Sequence, residues 1–124
     1  MWEEAAQAGL LGLSTPEEYG GMGGDYRHEV ILMEQIGAKG AAGFGASLHD
    51  AIVAAYILHY GTEEQKKRWL PGCVCGELIT VLAMTEPGTG SDVAAITTTA
   101  VRDGDHYIVN GQKTWTTLGQ YGEW

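Results

Sequence analysis

The segment Thr85–Asp92, which reads Thr-Glu-Pro-Gly-Thr-Gly-Ser-Asp, has the composition of a loop that could bind an anion. Two glycines leave room for a ligand to approach the backbone, and three hydroxyl side chains lie among them. A loop of this kind can direct several backbone N–H groups at one anionic group. It has neither the lysine of a P-loop nor the glycine spacing of a dinucleotide-binding fingerprint. An ordinary turn at Pro87–Gly88 is the alternative interpretation.

A second candidate site is the run Trp115-Thr116-Thr117. The indole ring of Trp115 could stack on a planar ligand, and the neighbouring hydroxyl groups could form hydrogen bonds with the ligand's edge. The alternative is a tryptophan that packs within a strand and has no ligand.

The remaining reactive residue types do not form a catalytic or metal-binding pattern. The four histidines lack metal-ligand spacing, and no nucleophile stands beside an obvious base. His49 and Asp50 could act as an acid and a base, but adjacent residues of a helix point in different directions. Cys73 and Cys75 are one residue apart, which is unfavourable for a disulfide, so we predict two free thiols in a reducing compartment.

Four segments have the pattern of helices and would have to position these candidates: 1–8, 26–36, 44–60, and 63 to about 71. The third is apolar on more than one face, which predicts a helix inside a bundle. Thr62 and Gln65 have the spacing of a capping box, which marks the start of the fourth helix. Leu70-Pro71-Gly72 is expected to end it.

The pattern changes after residue 77 from helices to strands. The apolar run Leu78–Met84 predicts a buried strand, and 97–102 with 106–109 predict two strands joined by a turn. Asn110-Gly111 is the strongest hairpin signal in the chain and predicts that 113–117 pairs back. The expected fold class is therefore α+β, and the unpaired strand edges indicate a piece of a larger protein.

Composition limits the classes of partner. The chain has 124 residues, a formal net charge of −9 and 19 glycines, about twice the average glycine frequency. This acidity argues against general binding of nucleic acid or an anionic membrane surface. The longest apolar stretch, Ala51–Leu58, is too short to span a membrane, and the first residues do not resemble a leader.

Five sequence blocks, in this order and spacing, resemble the amino-terminal part of an acyl-CoA dehydrogenase: 9–13, 16–21, 60–66, 84–92 and 110–117. The resemblance implies an all-helical amino-terminal domain at 1–77. It also implies the first strands of a β-barrel middle domain, with a flavin-binding loop, at 78–124. The helical carboxy-terminal domain of the family would be absent, so the chain is interpreted as a truncated fragment.

The resemblance also implies an FAD site. Thr85 would bind the edge of the isoalloxazine, and Gly90 and Ser91 would lie near the pyrophosphate. Trp115 would pack beside the ring system and Thr117 would approach its reactive nitrogen. The full set of implied FAD-binding residues is Leu82, Ala83, Met84, Thr85, Gly88, Gly90, Ser91, Trp115, Thr116 and Thr117.

Ser91 would in addition contact the acyl-CoA substrate. The family's catalytic base is a glutamate in or near its carboxy-terminal domain, so no catalytic residue is assigned here, and Glu86 is not expected to replace it. The run that starts at Trp115 departs from the commoner family pattern at Thr116 and Leu118. The loop Gly43–His49, in contrast, is closer to long-chain members of the family. These two features leave the acyl chain length open.

The activity implied by the resemblance is the α,β-dehydrogenation of an acyl-CoA thioester to a trans-2-enoyl-CoA, a step of fatty acid β-oxidation. Electrons would pass to an electron-transferring flavoprotein. The full-length protein would be a homo-oligomer in the bacterial cytoplasm or the mitochondrial matrix, and the isolated fragment would be inactive. Two alternatives stay open: a related flavin oxidase or monooxygenase, and a non-catalytic helical module that binds acyl-CoA or protein.

Overall fold

The computed structural model describes residues 1–122, so the last two residues of the predicted 78–124 domain lie outside the described residues. The helices are α1 (Trp2–Gln7), α2 (Tyr26–Ala38), α3 (Ala55–Tyr60) and α4 (Glu63–Cys75). A π-helix at Leu48–Ala54 leads directly into α3, and single 3-10 turns lie at Glu17–Tyr19, Ala42–Phe44 and Val93–Ala95. Two antiparallel strands, β1 (Thr99–Asp103) and β2 (His106–Asn110), follow the helices. The α+β class is confirmed.

Capping boxes begin helices α2 and α4. At α4, the Thr62 hydroxyl accepts from the Gln65 N–H at 3.3 Å, and the Gln65 side chain accepts from the Thr62 N–H at 2.9 Å, as predicted. At α2, the Asp25 side chain and His28 form the corresponding pair. The second box was not predicted because its third position carries a histidine rather than the usual glutamate or glutamine.

The core of the helical part consists of two clusters. The first brings α1 together with the loops beside it and contains Trp2, Ala5, Leu11 and Ala46. The second joins the Glu17–Tyr19 turn, the π-helix and α4 through Tyr19, Ala54 and Leu70. Leu118, from the chain after the strands, packs against the first cluster. The end of the β part is therefore held on the helical part by apolar contact.

The prediction that α4 ends near Pro71 is wrong, because the helix continues to Cys75. A proline in a helix interior costs about 3 kcal/mol. Burial outweighs this cost, since Leu70 and Cys73 lie one helical turn apart on the same fully buried face. Gly76, with a left-handed φ of 76°, ends the helix instead.

The helix expected at 44–60 differs in its start and in its burial. Residues 42–44 form a separate 3-10 turn, and the continuous helix then runs through the π-helix into α3. Its outer face is exposed rather than enclosed, with Tyr60 81% exposed and Ile52 and Tyr56 about half exposed. The apolar residues Tyr26 and Val30 of α2 are also exposed. The described chain therefore leaves apolar helix faces uncovered.

The strand predictions are partly wrong. Leu78–Met84 forms no named strand and makes a single bridge, between Leu82 and Thr117. The hairpin turn between β1 and β2 is Gly104-Asp105, as the sequence predicted. Gly104 has a φ of 64° and Asp105 does not, which is the pattern of a type II′ turn. Asn110-Gly111 forms no turn back onto β2, because residues 113–117 lie against residues 82–86 instead.

Candidate functional site

Two segments singled out from the sequence lie side by side. We call residues 82–85 the first segment and residues 114–117 the second segment. Leu82 and Thr117 form an antiparallel bridge, and the Thr114 N–H donates to the Thr85 carbonyl at 2.9 Å. Both contacts belong to the same antiparallel register. This register sets Met84 opposite Trp115, although the two residues are far apart in sequence.

The chain after the first segment forms a turn with unused backbone donors. Glu86 and Thr89 exchange two backbone hydrogen bonds, at 3.0 and 3.1 Å, around Pro87-Gly88. A turn at Pro87-Gly88 is therefore present, and the anion-binding role of the loop stays a prediction. Among the hydrogen bonds within residues 1–122, none uses the N–H of Gly88, Gly90 or Ser91. These three donors remain available to an external acceptor such as a phosphate oxygen.

Neither the backbone conformation nor steric crowding within the described chain requires glycine at positions 88 and 90. Neither has a positive φ, and a Cβ added at either position would have no protein atom within 4 Å. Glycine is required where the backbone is left-handed or where another group approaches closely. Since the described chain supplies neither condition, the open space beside these residues suits the approach of a ligand.

Trp115 is the most exposed large apolar side chain at the site. It is 90% exposed, and its φ of 57° is left-handed, a region that costs a bulky residue about 1–2 kcal/mol. The alternative of a tryptophan packed within a strand is therefore wrong. Non-glycine residues persist in this conformation only where the surrounding structure holds them, and they cluster at functional sites. Leu118, three residues further on, has a similar φ of 61°.

Glu86 is a buried carboxylate at the centre of the site's polar contacts. It is 5% exposed and accepts from the Thr97 N–H and hydroxyl, the Thr98 N–H and the Lys113 ammonium, at 2.7–2.9 Å. Lys113 Nζ also donates to the Met84 carbonyl at 2.9 Å. The hydrogen bonds from Thr98 and Thr97, together with the Lys113 ammonium, hold the pKa of Glu86 well below its usual range.

The Glu86 carboxylate accepts hydrogen bonds from Thr97, Thr98 and Lys113, whereas a general base must be free to take a proton from a substrate. These contacts support the expectation that Glu86 does not act as the base, which stays a prediction. The sequence did not predict the structural roles of Glu86 and Lys113. The feature that could have indicated them is that each is a lone charged residue in an otherwise uncharged stretch beside a candidate segment.

The buried residues His49 and Asp50 do not bond to each other. His49 Nε2 donates to the Cys73 carbonyl at 3.0 Å, and its Nδ1 accepts from the Thr80 N–H at 3.1 Å. Asp50 instead accepts from the Gly12 N–H at 3.2 Å. Burial lowers the pKa of His49, against the opposing effect of its bond to Cys73. The adjacent acid and histidine therefore bond to different partners.

Neither a metal cluster nor a membrane-spanning helix is found in the described part of the chain. Within residues 1–122, no three His, Cys, Asp or Glu side chains are grouped so that they could hold a metal ion. None of the helices described there is long and apolar enough to cross a bilayer. Cys73 and Cys75 are free, as predicted, the first buried and the second exposed.

Solved structures share this arrangement of helices, loop and strands. An acyl-CoA dehydrogenase from Geobacillus kaustophilus is 52% identical and superposes with a TM-score of 0.91, over 98% of this chain and 32% of that one. An acyl-CoA dehydrogenase from Bacillus anthracis, crystallised with FAD, is 40% identical with a TM-score of 0.84. That comparison covers 93% of this chain and 20% of that one. Both comparisons place the chain in the acyl-CoA dehydrogenase class, and the second structure contains FAD.

Family models agree along nearly the whole chain. The amino-terminal domain of acyl-CoA dehydrogenases matches residues 1–77, and the middle domain of the same family matches residues 81–124. The chain belongs to the acyl-CoA dehydrogenase family. The mitochondrial long-chain specific acyl-CoA dehydrogenase of Sus scrofa is 44% identical over 119 residues, which is 96% of this chain. The chain spans 28% of the length of that relative.

Proposed function

We propose that the protein containing these residues is an FAD-dependent acyl-CoA dehydrogenase, which converts an acyl-CoA thioester to a trans-2-enoyl-CoA. The observation that carries the proposal is Trp115, which is exposed and left-handed opposite Met84. In the described chain the indole ring packs against almost nothing, so the cost of its backbone conformation is not offset by burial. A planar flavin ring lying against the indole would supply that contact.

The residues at the site fit FAD in two respects. The unused N–H groups of Gly88, Gly90 and Ser91 suit the oxygen atoms of a pyrophosphate, and a Cβ built at Gly88 or Gly90 would meet no protein atom within 4 Å. The first and second segments place Met84, Thr85 and Trp115 together for the ring end of the cofactor. Leu82, Ala83, Thr116 and Thr117 complete the proposed set of FAD-binding residues.

The chemistry is divided between the cofactor and the chain. Bound FAD supplies the acceptor for the substrate's β-hydride. The residues of this chain hold and orient the cofactor, and Ser91 is proposed to contact the acyl-CoA as well. No proton transfer is assigned to this chain, since the Glu86 carboxylate accepts hydrogen bonds from Thr97, Thr98 and Lys113.

We also propose that the boundary between the helical domain and the partial β domain lies between residues 77 and 78.

The partners follow from the family and are proposed with it. We propose an electron-transferring flavoprotein as the electron acceptor and a homo-oligomeric full-length enzyme. The compartment is the bacterial cytoplasm or, for a eukaryotic source, the mitochondrial matrix, since the Sus scrofa relative is a mitochondrial protein.

The test uses the full-length protein that contains this chain. The purified protein is expected to show a flavin absorbance spectrum, and a matching acyl-CoA from a series of chain lengths is expected to bleach it. Trp115→Asn, which tolerates a left-handed backbone, should weaken FAD binding with a stability change within about 0.5 kcal/mol, as for exposed residues generally. Trp115→Phe keeps an aromatic face and serves as the matched control.

The outcomes separate the alternatives. Thioester binding without flavin would support the non-catalytic module and contradict the proposal. Rapid reaction of the reduced flavin with oxygen would instead indicate an oxidase or monooxygenase. Equal FAD affinity in Trp115→Asn and the unchanged protein would show that the indole ring does not contact the cofactor.

A further inference from the structure

The carboxylate of Glu86 and the ammonium of Lys113, which we call the Glu86–Lys113 pair, connect the two segments of the candidate site. Glu86 directly follows the first segment, and Lys113 directly precedes the second. The two charged groups are 2.9 Å apart, and the Glu86 side chain is 4% exposed. The Lys113 side chain is 24% exposed, so the pair is partly buried and is screened less by water and salt than a fully exposed pair.

The Glu86–Lys113 pair forms hydrogen bonds with the residues just before β1 as well as joining the first and second segments. One carboxylate oxygen, Oε2, accepts from the Thr97 N–H and hydroxyl, just before β1. The other, Oε1, accepts from the Thr98 N–H and from Lys113 Nζ. Lys113 Nζ also donates to the Met84 carbonyl, within the first segment. Each charge therefore has several partners, which is the condition for a buried ion pair to be tolerated.

We propose that Glu86 and Lys113 are positioning residues that hold the first and second segments at the separation and register that FAD requires. The inference rests on the proposed function and extends it to two residues outside the proposed FAD-binding set. Neither side chain needs to touch the cofactor.

The contacts between the segments support this role. Without the pair, the described contacts that join them are one backbone hydrogen bond, Thr114 N–H to Thr85 carbonyl, and one bridge, Leu82 to Thr117. A left-handed non-glycine residue persists only where its surroundings hold it. Lys113 lies two residues before Trp115, so the ammonium's bonds to Glu86 and Met84 restrain the backbone that leads into that residue.

The experiment compares Glu86→Gln, Lys113→Met and the double variant in the full-length protein. Lys113→Arg is the conservative variant that keeps the charge. Lys66→Met is the matched control, because Lys66 also lies 2.9 Å from a glutamate, Glu63, but in the helical part. Three measurements are made: amide hydrogen exchange at Thr114 in the FAD-free protein, FAD affinity by flavin fluorescence, and visible circular dichroism at saturating FAD.

The Thr114 amide is the decisive position, because it bonds to Thr85 and not to either charged side chain. We expect its exchange to become faster in Glu86→Gln and Lys113→Met, and FAD affinity to fall about tenfold to hundredfold, as for loss of a hydrogen bond to a charged group. The visible dichroism of the bound flavin should change in the same variants. Lys113→Arg should restore part of the affinity, Lys66→Met should change none of these readouts, and the double variant should cost less than the sum of the single variants.

Several results would overturn the inference. Unchanged Thr114 exchange in both single variants would show that the pair does not hold the segments. Reduced affinity with unchanged flavin dichroism, or an equal loss in Lys66→Met, would indicate a general effect on stability rather than positioning. Absence of FAD binding by the unsubstituted protein would contradict the proposed function itself, and with it the link between this pair and FAD.

Discussion

Asp50 is a buried acid whose Oδ2 atom has no hydrogen-bond partner within the described residues. Burial, followed by the neighbouring Glu29 carboxylate, raises the pKa of Asp50 to about 7, although the Gly12 N–H acts in the opposite direction. The ordinary value is 3.8, so between pH 4 and 7 the folded protein holds a proton that the unfolded chain has lost. The contribution of Asp50 to stability therefore falls as the pH rises through this interval.

The variant Asp50→Asn should remove this dependence. It should match the unsubstituted protein near pH 4 and be more stable above pH 7, by at most about 4 kcal/mol at roughly 1.4 kcal/mol per pKa unit. Urea unfolding at several pH values measures the difference. Asp25→Asn is the contrasting control, because the Arg27 side chain lowers the pKa of Asp25 to about 2 and its contribution is lost as the pH falls. Parallel pH profiles for the unsubstituted protein and Asp50→Asn would contradict the expectation.

The two cysteines should differ in reactivity although both are free. Burial, followed by the nearby Asp50 and Cys75, raises the pKa of Cys73 to about 12, while Cys75 is exposed. Because the thiolate is the reactive form, iodoacetamide should add one label rapidly to the folded protein and two in denaturant, both without reductant. Mass spectrometry counts the labels. Two equally fast labels in the folded protein would show that Cys73 is accessible.

At the scale of elements, local signals predicted the structure and long-range contacts altered it. The capping box at Thr62 and the turn at Gly104-Asp105 depend only on neighbouring residues, and both were predictable. The continuation of α4 through Pro71 depends on packing that no short window contains. Glu29 is likewise the buried residue of α2, and its carboxylate accepts from the Ser14 N–H and hydroxyl, fifteen residues away.

The same distinction applies to the candidate site. Residue types alone indicated the loop and Trp115, since glycines, hydroxyl groups and an indole are visible in the sequence. The Glu86–Lys113 pair was not predictable, because its members are 27 residues apart and join through a register that the Asn110-Gly111 signal contradicted. The hairpin preference of that dipeptide is outweighed by the contacts of Lys113 and Thr114 with the first segment.

The capping box of α4 should have a measurable effect on stability. Thr62→Ala removes the acceptor for the Gln65 N–H and should lower the free energy of unfolding by about 1 kcal/mol. Thr62→Ser keeps a hydroxyl group and should change it little. Urea unfolding followed by far-ultraviolet circular dichroism measures both variants. A loss in Thr62→Ser as large as that in Thr62→Ala would show that the methyl group, rather than the hydrogen bond, is responsible.

At the scale of the whole molecule, the helical and β parts differ in how well they are packed. The helical part has two buried clusters, whereas every residue of β1 and β2 is exposed. A two-stranded hairpin is at best marginally stable in water. The described contacts that hold the candidate site in place therefore include the Glu86–Lys113 pair, the packing of Leu118, the Thr80–His49 hydrogen bond and the few bonds between the segments.

We predict that the 124-residue polypeptide by itself binds FAD weakly and does not dehydrogenate acyl-CoA. Its β part is not covered, and the buried carboxylate beside the candidate site, Glu86, is fully engaged. The measurement adds a series of acyl-CoA thioesters to the purified polypeptide with excess FAD and follows the flavin absorbance. Bleaching with any thioester would show that these residues suffice for catalysis.

The exposure of Trp115 also has an optical consequence. Its indole ring is 90% exposed, whereas that of Trp2 is buried against Phe44 and His49. Fluorescence from Trp115 should accordingly be emitted at longer wavelengths and be quenched by dissolved iodide, while that of Trp2 is protected. A flavin that stacked on Trp115 would quench this emission directly and shield the ring from iodide. Once Trp69 and Trp124 are replaced by phenylalanine, Trp115 thus provides an intrinsic spectroscopic probe of whether its open face is covered.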